Sequence, residues 1–224
     1  MNRIMMAVIS VTILAGQSVQ AAGLTSQKER LSYAAGYQIA KNMTARSAIF
    51  DSKAFIAAIE DVLDNKKPRV SEKDMQAAIE ADRTQRIEQQ AKKVNDTKAK
   101  GDKFRTDFAA GKDVKKTASG ILYQVIKAGT GDSPNATDTV TVQYRGTLIG
   151  GKEFDSSYKR GQPATFPLNR VIKGWQEIVQ LMQPGAKFKV VIPPDLAYGD
   201  RAIGQMIAAG STLVFEIELL SIKK

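Results

Sequence analysis

At residue 114 the spacing of apolar side chains changes, and that change limits what this chain can build. Before it, Leu31, Ala35, Ile39 and Met43 stand four apart and share one helix face. After it, Leu213, Phe215, Ile217 and Leu219 alternate with Val214, Glu216 and Glu218, the pattern of a half-buried antiparallel strand. A helical first half followed by a sheet with one short helix is an α+β arrangement. With 224 residues the chain is long enough for two modest domains.

Residues 1–21 have the form of a signal peptide. Arg3 precedes an apolar run from Ile4 to Leu14, too short to span a bilayer, and Val19-Gln20-Ala21 offers small residues for cleavage. The mature protein is therefore expected in the periplasm, or otherwise exported or held at the outer membrane, with no integral membrane segment.

Residues 22–70 are expected to form a helical unit. Asp51 suits the N-cap of a second helix carrying Phe55, Ile56, Ile59, Val62 and Leu63, and Pro68 closes the unit. Two short amphipathic helices leave apolar surface to cover. Either a second copy covers it, making a homodimer, or the C-terminal domain does.

Residues 71–113 are expected to form a long connecting helix. Ser71 to Asp74 resembles a capping box, and no proline follows before residue 114. Its apolar residues are few, with Gly101 among them and Lys98 and Arg105 where a coiled-coil seam would need apolar groups. Such a helix reads as an exposed arm.

Residues 114–224 are expected to form the sheet-bearing domain. Ile121–Ile126, Thr139–Arg145, Lys189–Ile192 and Leu213–Leu220 read as strands, with turns at Gly129–Asn135 and at Gly150-Gly151. Between them Val171 to Ile178 reads as a short helix with the chain's one tryptophan, Trp175. Its indole is either ordinary core or the floor of a concavity.

The chain contains no cysteine and no histidine. That removes Ser-His-Asp and Cys-His catalysis, thiol redox chemistry and His or Cys zinc sites, and no cofactor is implied. The net charge of +10 is spread among acids, as in Glu60-Asp61, Lys66-Lys67 and Glu72-Lys73-Asp74, so no nucleic-acid partner is implied.

Five segments in order, Val142–Gly146, Gly151–Ser157, Val171–Trp175, Ile192–Gly199 and Ser211–Leu220, closely resemble the FKBP-type peptidyl-prolyl cis-trans isomerases. Leu31–Gly36 resembles the dimerising segment of their exported bacterial members, the macrophage infectivity potentiator type. The resemblance implies a curved antiparallel sheet wrapped on one short helix and a pocket for proline. It implies that Tyr144, Phe154, Val171, Ile172, Trp175, Tyr198, Ile207 and Phe215 line the pocket, with Asp155 and Arg160 at its edge. The Ile172 N–H and the Tyr198 hydroxyl would bind substrate carbonyls. One aromatic position of the family is Ala164 here, with Phe166 two residues on. Where relatives often have Ile-Pro-Pro, this chain has Ile207-Ala208-Ala209, which implies a more mobile rim.

The resemblance further implies rotation of X–Pro bonds in unfolded or partly folded exported proteins, and binding of macrolide-type inhibitors. Asp155 would serve either in proton transfer or as a brace for Tyr144 and Arg160. The competing function is a dimeric holdase chaperone with weak or no isomerase activity.

Overall fold

The computed structural model describes residues 23–45 and 51–224; the export segment expected at residues 1–21 lies outside them. The chain divides into two units at Glu72/Lys73.

The first unit contains helices α1 (Gln27–Ala45) and α2 (Ser52–Leu63). A capping box that sequence reading missed starts α1. The Ser26 hydroxyl accepts the Glu29 N–H, and the Glu29 carboxylate accepts the N–H groups of Ser26 and Thr25. Those bonds hold the Glu29 carboxyl below its ordinary range. Asp51 caps α2 as expected, accepting the Ala54 N–H at 2.8 Å. Beyond α2, Arg69 folds back on Asp61 through two hydrogen bonds of 2.8 and 3.0 Å. The apolar faces of both helices are open: Leu31, Tyr33 and Tyr37 on α1, and Ile56, Val62 and Leu63 on α2, are exposed.

The second unit begins with helix α3 (Glu72–Ala109). Seven strands follow: β1 (Val114–Lys116), β2 (Leu122–Lys127), β3 (Thr139–Leu148), β4 (Glu153–Ser156), β5 (Ala164–Pro167), β6 (Lys187–Ile192) and β7 (Leu213–Lys223). They form one antiparallel sheet in the order β1-β2-β6-β7-β3-β4, with β5 also paired to β3. Helix α4 (Lys173–Val179) lies against one face. It sits close because residue 174 is glycine: a Cβ there would come within 2.5 Å of the Ile192 side chain. Val140, Val142, Val190, Ile192, Ile217 and Leu219 are buried with Ile178, Val179 and Met182 of the helix and its C-terminal turn.

The opposite face carries a smaller cluster of Leu122, Val191 and Val214, and here α3 departs from expectation. The first half of α3 is exposed, as its polarity predicts. The second half packs on the sheet and its loops. Phe104 and Phe108 cover the small cluster, and buried Gly101 lies against Thr212. Arg105 donates to the Thr212 hydroxyl, and Lys98 pairs with Asp200 at 2.6 Å. The two cations that disfavour a coiled-coil seam are therefore contacts to the domain, their heads reaching Asp200 and Thr212.

Candidate functional site

The concave side of the sheet, together with α4, encloses a cavity of about 360 Å³. That is within the lower range for small-ligand sites. Each wall comes from a different element. β3 supplies Tyr144, β4 supplies Phe154 and Asp155, β5 supplies Phe166, and β7 supplies Phe215. Val171 and Ile172 lie at the entry to α4, and Tyr198 stands in the loop after β6.

Trp175 is at the centre of the ring cluster. Its indole makes edge-to-face contacts with Tyr144 at 5.1 Å and with Phe215 at 5.3 Å, and a tilted contact with Phe166 at 5.6 Å. Phe154 meets Phe215 edge-on at 5.6 Å. Edge-to-face pairs are favoured by the ring quadrupole beyond simple area burial, so the rings brace one another and leave an apolar concavity. The alternating side chains of β3 and β7 bring Tyr144 and Phe215 to this face. Gly146 lets two of the rings close over β3, since a Cβ there would come within 2.7 Å of Phe154 and 2.8 Å of Phe215.

One edge is polar and internally neutralised. The Tyr144 hydroxyl donates to Asp155, while Arg160 donates both to Asp155 and, at 2.8 Å, to the Tyr144 oxygen. The Arg160 guanidinium also lies over the Tyr144 ring, 5.3 Å from its centroid. Burial, followed by the hydrogen bond to Asp155, pushes the Tyr144 phenol above its ordinary pKa. Burial does the same to Tyr198, assisted by the charge of Asp155. Both phenols are therefore neutral at ordinary pH; the Tyr144 proton is committed to Asp155, and the Tyr198 hydroxyl is the one left to donate. Ser157, fully buried, holds the turn after β4 to β3 by accepting the Tyr144 N–H at 2.8 Å.

Nine of the eleven residues expected at the site line the cavity. Arg160 stands beside it, joined to the lining through Asp155 and Tyr144. Ile207 is not among the lining residues. It forms a two-way backbone bridge with Ile203, at 2.9 and 3.2 Å, and its side chain is 5% exposed within the core. The loop after it is anchored: the Gly210 N–H bonds Gly199, the Ser211 N–H and hydroxyl both bond the Ala208 carbonyl, and Ala209 is buried.

Two contributors had no signal in the sequence. Arg170 also lines the cavity, from the 3-10 turn Leu168–Arg170. Gln176 donates to the Val171 carbonyl at 2.7 Å and to that of Asn169 at 3.4 Å, fixing the segment that carries Val171 and Ile172. A lone arginine or glutamine on an amphipathic segment looks like surface until the fold places it.

Among the described residues no group of carboxylates is arranged to hold a metal ion. The site offers shape, apolar surface and the Tyr198 hydroxyl as a donor.

Comparison with known proteins gives two family matches. Residues 131–220 match the FKBP-type peptidyl-prolyl cis-trans isomerase model, and residues 28–125 match the domain amino terminal to that isomerase. The peptidyl-prolyl cis-trans isomerase Mip of Coxiella burnetii is 38% identical, with both chains covered completely. The outer membrane protein MIP of Legionella longbeachae is 38% identical over 92% of this chain and 91% of its own. The crystal structure of FkpA from Escherichia coli superimposes with a TM-score of 0.69 at 36% identity, covering 89% of this chain and 98% of that one.

Proposed function

The chain belongs to the FKBP-type peptidyl-prolyl cis-trans isomerases, and from that membership we propose that it rotates X–Pro bonds of exported proteins in the cavity floored by Trp175. Rotation about the bond meets a barrier of roughly 18–20 kcal/mol because amide resonance must be broken. The twisted amide is less charge-separated than the planar one. Moving it from water to an apolar cavity therefore favours the transition state over the ground state, which is what lowers a barrier. The reaction needs no nucleophile, metal or proton transfer, in keeping with a chain that lacks histidine and cysteine.

The ring cluster of Trp175, Tyr144, Phe166 and Phe215 is the observation that carries this reading. The proline ring would rest against the indole, walled by Phe154, Val171 and Ile172. The Ile172 N–H and the Tyr198 hydroxyl would receive the substrate carbonyls. Asp155 is proposed as a brace: its carboxylate is already occupied by Tyr144 and Arg160. Macrolide-type inhibitors would occupy the same cavity. The test is catalysed exchange of a short X–Pro peptide followed by NMR. Acceleration by the wild type, competed by such an inhibitor, is the expected result; no acceleration would refute the reading.

The exposed apolar faces of α1 and α2 support a homodimer formed through residues 22–70, with export to the periplasm implied by residues 1–21. The same faces support the second reading, holdase action on unfolded chains. Suppression of aggregation of a proline-free client measures that action separately.

A further inference from the structure

The cavity has two charged lining residues, and they are not equivalent. Asp155 is satisfied by Tyr144 and Arg160. Arg170 lines the same cavity, is exposed, and has no ion pair or side-chain hydrogen bond among the described residues. Its backbone is nonetheless held. The Leu168 N–H bonds the Asp138 carbonyl at 2.9 Å, and the Leu168 side chain is fully buried. On the other side of the turn Gln176 bonds the carbonyls of Asn169 and Val171. A permanently charged guanidinium is thus anchored at the rim of an apolar cavity with its donors unspent.

Resting on the isomerase reading, we infer that Arg170 is a specificity-determining residue that favours substrates carrying a carboxylate side chain next to the proline. A guanidinium presents a planar fork of donors that matches a carboxylate. Arg160 cannot substitute for it, being committed to Asp155 and Tyr144. Because Arg170 is exposed, the preference should be modest and sensitive to salt: a pair of this kind changes kcat/KM about two- to fivefold.

The experiment uses the full-length mature protein and peptides of the form Ala-X-Pro-Y-Ala. Glu and its neutral isostere Gln are exchanged first at X, then at Y. At an ionic strength of about 0.01 M, where screening extends about 30 Å, the wild type should process the Glu peptide about two- to fivefold faster than the Gln peptide at one of the two positions. The ratio should approach one at about 1 M salt. Arg170→Gln should abolish the preference and Arg170→Glu should invert it, each read as the Glu/Gln ratio of kcat/KM within the one variant. A Glu/Gln ratio that is the same in wild type and Arg170→Gln at both positions would overturn the inference while leaving the isomerase reading intact. Failure of the wild type to accelerate any of the peptides would overturn both.

Discussion

Gly101 of α3 faces Thr212 at the start of β7 so closely that any side chain on the helix would collide with the threonine, whose Cβ would lie 3.1 Å from the added carbon. Thr212 is 2% exposed and also accepts from Arg105, so it has little room to yield. The long helix is therefore part of the catalytic unit over its second half.

Replacing Gly101 with alanine separates two opposing effects. In an exposed helix the change would stabilise by about 1 kcal/mol. Against a fixed neighbour, overpacking costs about 1–3 kcal/mol. Net destabilisation is expected in urea unfolding followed by Trp175 fluorescence. Hydrogen exchange should show the same division, with slow amides from Val94 to Phe108 and fast ones in the first half of the helix. Stabilisation by Gly101→Ala, with uniformly fast exchange along α3, would show that the helix is free.

Residues Val62 and Leu63 are 76% and 75% exposed in the single chain. If a second copy covers them, the mature protein sediments as a dimer, and Val62→Glu with Leu63→Glu makes it monomeric without lowering activity on a short peptide. A monomeric wild type would remove the dimer.

Tyr144 gives a pH signature. Its folded pKa is raised, chiefly by burial, so the folded state prefers the protonated phenol. That contribution to stability is fully present below the unfolded value near 10 and is lost as pH rises through the elevated folded value. Denaturation midpoints of the wild type should therefore fall above about pH 10 more steeply than those of Tyr144→Phe. With no histidine to titrate, activity should be flat across neutral pH. Parallel alkaline profiles in the two proteins would refute the assignment.

Much of this arrangement is legible in the residues alone. The period-two strands and the Asp51 cap follow from alternation and cap chemistry, and nine of the residues that line the cavity are ones that the resemblance of the motif segments implies. The features that do not follow share a physical cause. The stripe of α3 that packs is made of Val94, Lys98, Gly101, Phe104, Arg105 and Phe108, and three of those six are not apolar by type. A glycine in tight contact and two cations reaching polar partners look like exposed helix, since hydrophobic periodicity does not count them. The resemblance implies Ile207 at the pocket; its backbone bridges Ile203, and its side chain is buried in the same core cluster as Trp175, Tyr144 and Phe215. The loop after it is anchored at Gly210 and Ala208, so the absence of proline at Ala208 and Ala209 does not leave it without backbone bonds.

The claim that proline bonds turn against Trp175 is tested most directly by the kcat/KM of Trp175→Leu on a short X–Pro peptide, measured on protein shown by circular dichroism to be folded. Leucine keeps the core apolar but removes the indole from its contacts with Tyr144, Phe166 and Phe215. A fall of at least about tenfold, equivalent to about 1.4 kcal/mol of transition-state stabilisation, is predicted. A folded Trp175→Leu protein with wild-type kcat/KM would contradict it.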